Sequence, residues 1–279
     1  MLTFKQVNKS YVGKARQLIA LDGLSFSVPS GRSFAMIGPS GCGKSTALLL
    51  AAGLLKPNSG EVLIGDQPIL HPRRQTALIL QDFGLLPWKT VFENATLGLR
   101  VRACAKEERI VRTHQALQQV GLEQFAAAYP SELSGGMRQR LALARALALD
   151  VDVMLMDEPL SALDLGLRES LQDLLLALWR RRGYTQLLVT HSIEEAIFLG
   201  QQVLVISPRP GHVATIIDNP EAGEANYRNS TLFAARCREL RKALLSQSGR
   251  DGAFNRTRDA DNSEAVTDIH SGKDTNCDA

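Results

Sequence analysis

The run Gly38-Pro39-Ser40-Gly41-Cys42-Gly43-Lys44-Ser45-Thr46 has the residue types and spacing of a loop built to hold phosphate, G-x-x-x-x-G-K-[ST]. Glycines, lacking Cβ, let the backbone turn its N–H groups around an anion, and a helix beginning at the end of the loop aims its positive end at the same charge. Lys44 supplies a point charge for the outer phosphates, and Ser45 a hydroxyl for the Mg²⁺ that accompanies them. Further on, Asp157 and Glu158 close an apolar run. The first carboxylate can hold Mg²⁺ through oxygen, and the second can orient and polarise a water for attack on a γ-phosphate. Gln81 and His191 also end apolar runs; the Gln81 amide is placed either to touch a metal or a water, or to make a strand-end hydrogen bond. Ser134 has the position of an N-cap, and Gly135 and Gly136 leave backbone N–H groups bare for an anion, although a plain capped helix would use the same Ser134. The Tyr11 ring can stack on an adenine face or sit half-buried against its own strand.

These groups need a scaffold that brings them to one edge. Residues 33–37 form an apolar run of strand length before the phosphate loop, and residues 47–55, rich in Ala and Leu and free of Pro, read as the helix after it. Runs at 76–80, 153–156, 186–190 and 203–206 read as further buried strands, the last forming a hairpin with 213–217 across the turn Pro208-Arg209-Pro210-Gly211. Ligands of open parallel sheets bind beyond the C-terminal strand ends, which puts Lys44, Gln81, Asp157 and His191 on one rim. Residues 2–30 alternate apolar and polar, as half-buried antiparallel strands punctuated by Gly13 and Gly23 would, and 61–64 is one more strand. From 91 to 150 the pattern is helical, with breaks expected at Gly98, Gly121 and Pro130. Ser192 with Glu195 is a capping-box pattern. Leu85-Leu86-Pro87-Trp88 is an apolar loop cluster suited to a protein contact or to local packing. Phe233, Cys237, Leu240 and Leu244 share one helical face, and after Ser246 the chain turns polar, predicting disorder over 247–279.

Composition narrows the class of protein. A chain of 279 residues with 44% hydrophobic content has an ordinary core, and its net charge of +3 argues against a dedicated nucleic-acid binder. The cluster Arg180-Arg181-Arg182 reads as a solvated helix end, where cations are favoured. The apolar runs are too short to cross a bilayer and the N-terminus lacks a secretory pattern, so a cytoplasmic location is expected. Cys42, Cys104, Cys237 and Cys277 show no C-x-x-C spacing and are expected as free thiols. Cys42, near a helix N-terminus, is expected to have a lowered pKa and to block nucleotide binding when alkylated.

Taken together, residues 2–217 resemble the ATP-binding subunit of an ABC transporter. The resemblance implies an α/β fold, a P-loop NTPase with a parallel-sheet core, an antiparallel β subdomain and an inserted helical subdomain at about 89–150; beyond it, the helical face named above predicts a C-terminal helical extension over 218–246. On the family pattern Gly38 to Thr46 is the Walker A loop binding ATP, Gln81 the Q-loop glutamine, and Ser134, Gly135 and Gly136 belong to the signature. Asp157 and Glu158 match the Walker B pair, Ser161 to Asp164 the D-loop, His191 the switch histidine and Tyr11 the adenine-stacking aromatic. Ser45, Gln81 and Asp157 would then serve Mg²⁺, with Glu158, His191 and Gln81 as the catalytic set. Met137 departs from the family's usual Gln, which is expected to leave hydrolysis intact.

The resemblance further implies a homodimer that sandwiches two ATP molecules head to tail, each held by one chain's Walker A loop and the other's signature. It would sit on the cytoplasmic face of the inner membrane against integral permease subunits, with a periplasmic solute-binding protein as an indirect partner. The wording Gln81-Asp82-Phe83-Gly84-Leu85-Leu86-Pro87-Trp88 and Ser207-Pro208-Arg209-Pro210-Gly211 is similar to importers of the nitrate, sulfonate and taurine group. The alternative is a non-transport ATPase of the same superfamily, a DNA-repair or translation factor. The single nucleotide module and the absence of clustered cysteines or heptads argue against it.

Overall fold

The computed structural model describes residues 1–12, 17–161, 163–224 and 226–263, with side chains described as far as residue 247. Gly13 and Cys277, both named above, lie outside the described residues. Two sheets carry the architecture. The first is antiparallel, in the order β2-β1-β4-β5, from β1 (Leu2–Val12), β2 (Gln17–Val28), β4 (Ser59–Ile64) and β5 (Gln67–Pro68). The second has the order β10-β9-β3-β8-β7-β6, from β3 (Ser33–Ile37), β6 (Thr76–Ile79), β7 (Val153–Asp157), β8 (Thr185–Val189), β9 (Gln202–Ile206) and β10 (Val213–Asp218). All its neighbours are parallel except the β9–β10 hairpin.

A strand buried on both faces is apolar along most of its length, and the central strands follow this apart from Ser33, Thr185 and Gln186 at strand starts and Asp157 at a strand end. In β7, Val153 and Leu155 point to the core shared with β1, β2 and the helix α1 (Lys44–Ala51), while Met154 and Met156 point to the core shared with the helices on the other side. In β3, Phe34 and Met36 join the first of these cores, and Ala35 and Ile37 face α6 (Ile193–Leu199) and α7 (Thr231–Ser263). Each fully buried Leu or Met contributes roughly 1.5–3 kcal/mol. The sheet is therefore a rigid platform, and its C-terminal edge is where the loops emerge.

The helical stretch between β6 and β7 contains α2 (Val91–Val101), α3 (Lys106–Gln119) and α4 (Gly135–Leu147). Gly98 does not break it. It lies inside α2 because Leu149 packs close against it, and a Cβ there would come within 3.0 Å of the Leu149 side chain. Thr90 and Glu93 make a reciprocal capping box at the start of α2, and buried Asn94 holds the preceding loop by donating to Leu86, Lys89 and Thr90 carbonyls. As a result Leu85 packs on the core, and Trp88, 70% exposed, is the part of the apolar cluster that faces solvent.

The helix α5 (Leu165–Arg182) ends in the three arginines, but Arg182 is more than a solvated cation: its guanidinium donates to the Leu147 and Leu149 carbonyls at 3.0 and 2.9 Å. Leu240 of α7 is buried, with Phe233, Cys237 and Leu244 packed around it. Where disorder was expected from 247, α7 continues to Ser263, the stretch containing no proline to stop it; the expectation for 264–279 lies outside the described residues. No helix among the described residues is long and apolar enough to cross a membrane.

Candidate functional site

β3 delivers the phosphate loop, and α1 leaves it with Gly43 as N-cap at φ 102°, a left-handed conformation that suits glycine. A Cβ on Gly43 would also lie 2.6 Å from Leu21, so the position is closed to other residues on two counts. No side chain caps α1, which leaves its first N–H groups to an anion. Lys44 Nζ donates to the Gly38 and Pro39 carbonyls at 2.8 Å each, curling the loop around its own ammonium group.

Parallel registry aligns the other groups. Asp157 at the end of β7 pairs with Val189 at the end of β8, and His191 follows two residues later. Asp157 is buried, one carboxylate oxygen accepts from the Ser45 hydroxyl, and Oδ1 has no partner. Burial pushes its pKa up and the neighbouring Glu158 charge adds to this, while Ser45 and Lys44 pull the other way. Glu158 sits at φ 49°, rare for a residue with a side chain. Its Oε2 is met by His191 Nδ1 at 3.2 Å and by Gln81 Nε2 at 3.5 Å. A cleft of about 450 Å³ is lined by Tyr11, Ser40, Gly41, Gly43, Lys44, Ser45, Thr46, Gln81, Asp157 and Glu158. The Tyr11 hydroxyl lies 3.2 Å from Thr46 Oγ1, which sets the ring at the cleft edge.

Two expectations need correction. The Cys42 thiol is 1% exposed, and burial drives its pKa up more strongly than the Lys44 charge lowers it, so the group is neither activated nor accessible. Glu195 does not close a capping box with Ser192: Ser192 Oγ accepts from the Glu195 N–H, but the Ser192 N–H donates to Thr190 Oγ1, and the Thr190 hydroxyl donates to the Glu195 carboxylate. Ser134, Gly135 and Gly136 lie outside this chain's own cleft. They form the start of α4, Ser134 Oγ accepting from the Met137 N–H at 3.2 Å, and a Cβ on Gly135 would meet open space.

The sequence reading missed Leu18, Ala20 and Arg209, which also line the cleft. Arg209 arrives on the turn after β9, which is locked against the back of the phosphate loop through Gly211: its N–H donates to the Ala20 carbonyl at 2.9 Å and its carbonyl accepts from the Asp22 N–H at 3.1 Å. The glycine in that turn was the available signal. Among the described residues no three metal-binding side chains cluster together. The hard oxygen donors of Ser45 and Asp157, one of them an orphaned buried carboxylate oxygen, nonetheless fit a divalent cation carried in by a phosphate ligand.

Comparison with known proteins places the fold in a family. A family description, ABC transporter, matches residues 21–161. The taurine import ATP-binding protein TauB of Rhizobium johnstonii is 43% identical over 236 residues, 82% of this chain and 90% of that protein. The nitrate import ATP-binding protein NrtD of Synechocystis sp. is 41% identical over 212 residues, 76% of this chain and 80% of that protein. Among solved structures, the dimeric bacterial ABC transporter cassette MJ0796 superposes with a TM-score of 0.73 at 34% identity, covering 78% of this chain and 98% of that one. A second structure of the same cassette is a dimer in a post-hydrolysis state, bound to ADP and Pi.

Proposed function

The chain belongs to the ABC transporter family, and on that basis we propose that it binds and hydrolyses ATP to drive a bacterial importer of a small solute in the nitrate, sulfonate and taurine class. The observation that carries the proposal is an incomplete cleft. Lys44, Ser45, Gln81, Asp157 and Glu158 line one cavity with His191 at its rim, whereas Ser134, Gly135 and Gly136 stand outside it, Ser134 exposed and the two glycines partly so. A second copy placed head to tail would bring its own Ser134 to Gly136 onto the nucleotide, in keeping with the dimeric cassettes that this fold matches.

In that dimer Tyr11 stacks on the adenine, and the amides of Gly41 to Thr46 and the Lys44 ammonium take the phosphates. Mg²⁺, held by the Ser45 hydroxyl and the Asp157 carboxylate with Gln81 nearby, would supply charge neutralisation for the β- and γ-phosphates. Glu158 accepts the proton of the attacking water as its oxygen bonds the γ-phosphorus; the bond to the β-phosphate oxygen breaks, leaving ADP and phosphate. His191, 3.2 Å from Glu158, holds that carboxylate and the γ-phosphate in place. Closure on ATP and opening after hydrolysis pass to permease subunits at the inner face of the membrane, with a docking surface near exposed Trp88. A solute-binding protein outside the membrane would complete the importer. A non-transport ATPase is disfavoured, because relatives that span most of this chain, TauB and NrtD among them, carry import names.

The test is recovery of the tagged full chain from detergent-solubilised membranes of its host, with mass spectrometry of what accompanies it. A permease with several hydrophobic spans is expected. DNA-repair or ribosomal proteins without a membrane partner would overturn the import reading.

A further inference from the structure

Among the described residues, five without glycine's freedom have positive φ, and two of these, Phe83 at 66° and Glu158 at 49°, belong to the loop after Gln81 and to the carboxylate pair. Such backbone persists only when its surroundings hold it. Both are held by the same helix. Gln139 of α4, 1% exposed, donates from Nε2 to the Glu158 carbonyl at 3.2 Å. Arg145, further along the same helix, donates from its guanidinium fork to the Phe83 and Gly84 carbonyls at 2.6 Å each. Ser161 Oγ also donates to the Glu158 carbonyl, at 3.1 Å, so the peptide after the carboxylate is gripped from two sides. The N-cap of α4 is Ser134, and five residues of helix rise place Gln139 only about 7.5 Å along the axis from it.

We infer that Gln139 and Arg145 are positioning residues through which α4, whose first turn meets the partner copy's nucleotide, sets the Glu158 carboxylate and the Gln81 loop of its own chain. The inference rests on the ATPase reading above. It makes α4 a rigid connection between the two nucleotide sites of the dimer: a shift of the helix when Ser134 engages phosphate is transmitted through the Gln139 amide to the peptide that aims Glu158. Neither side chain lines the cleft, so neither contributes to nucleotide affinity directly.

The experiment compares steady-state ATP hydrolysis and thermal midpoint for the wild-type full chain, Gln139→Met, Arg145→Lys, Arg140→Ala and Glu158→Gln. Gln139→Met removes the amide at similar length, and Arg145→Lys keeps the charge but loses the fork that spans two carbonyls. Arg140→Ala is the control for general loosening of α4, because Arg140 donates to the Val120 carbonyl at 3.0 Å, away from the cleft. The expected result is a fall in kcat of about tenfold or more for Gln139→Met and for Arg145→Lys with KM for ATP within about twofold, as for misplacement of reacting groups. Arg140→Ala should lower the midpoint without that split. Unchanged kcat in Gln139→Met, or a loss of kcat that merely follows the midpoint as in Arg140→Ala, overturns the inference. If wild type hydrolyses ATP and Glu158→Gln does not, such a result leaves the ATPase reading standing; if wild type has no activity, both fall.

Discussion

Gly211→Ala should damage the nucleotide site from behind. An added Cβ would lie 2.0 Å from the Cys42 carbonyl oxygen and 3.3 Å from that of Ala20, both backbone atoms that cannot rotate away. Gly211 cannot retreat either, since its N–H and carbonyl are engaged with Ala20 and Asp22. Overpacking of this kind costs roughly 1–3 kcal/mol, and loosening the two bonds adds about 1 kcal/mol each. A total of roughly 3–5 kcal/mol corresponds to a melting temperature lower by roughly 6–20 °C for a chain of this size. Because Cys42 belongs to the phosphate loop, ATP affinity should fall with it. Calorimetry with and without ATP reads both effects. Gly166→Ala, where the nearest atom to an added Cβ is Asp164 Oδ1 at 3.8 Å, is the matched control and should melt no lower than wild type. A Gly211→Ala protein that melts within about 2 °C of wild type and binds ATP equally well would refute the packing argument.

Cys42 should resist alkylation in the native protein and react only as the chain unfolds, because its thiol is buried and its pKa raised; stoichiometric labelling of Cys42 with the fold intact, read by peptide mass spectrometry, would contradict this. Glu195 is buried, which raises its pKa despite the Thr190 hydroxyl and the Arg168 and His191 charges that pull it down. A raised carboxyl pKa means that ionisation opposes folding, so wild type loses stability as pH rises from the ordinary carboxylate range through the folded pKa. The melting advantage of Glu195→Gln over wild type should therefore be largest near pH 8 and smallest near about pH 4; the opposite trend would refute the reasoning. Arg209→Ala removes an exposed cation from the cleft edge and should weaken ATP binding about twofold to fivefold without altering the melting temperature of the nucleotide-free protein, measured by titration calorimetry.

Much of the platform was legible because burial on two faces demands uninterrupted apolar residues, as in Val153 to Met156, and because turns and caps carry their own residue types, as Ser134 does. The site was legible where its residues stand at strand ends or in the glycine loop. What escaped depends on contacts between distant parts of the chain. Nothing local distinguishes Gln139 as the donor to a strained carbonyl, or Asn94 as the organiser of a loop, since a side chain bonding to a backbone group leaves no periodic trace. Gly98 misled for the same reason: its lack of a side chain serves Leu149, which is far from it in sequence. The error at Cys42 was one of magnitude, a helix N-terminus and a lysine weighed without the burial that outweighs them.

The account rests most heavily on Glu158 as the base of a nucleotide site shared by two copies. Its most direct test is to add ATP to purified wild-type and Glu158→Gln chains, measuring phosphate release and molar mass by light scattering. The account predicts that Glu158→Gln binds ATP as wild type does, releases phosphate at least about a hundredfold more slowly, and accumulates as an ATP-bound dimer. Phosphate release at the wild-type rate, or a variant that stays monomeric with ATP bound, would contradict it.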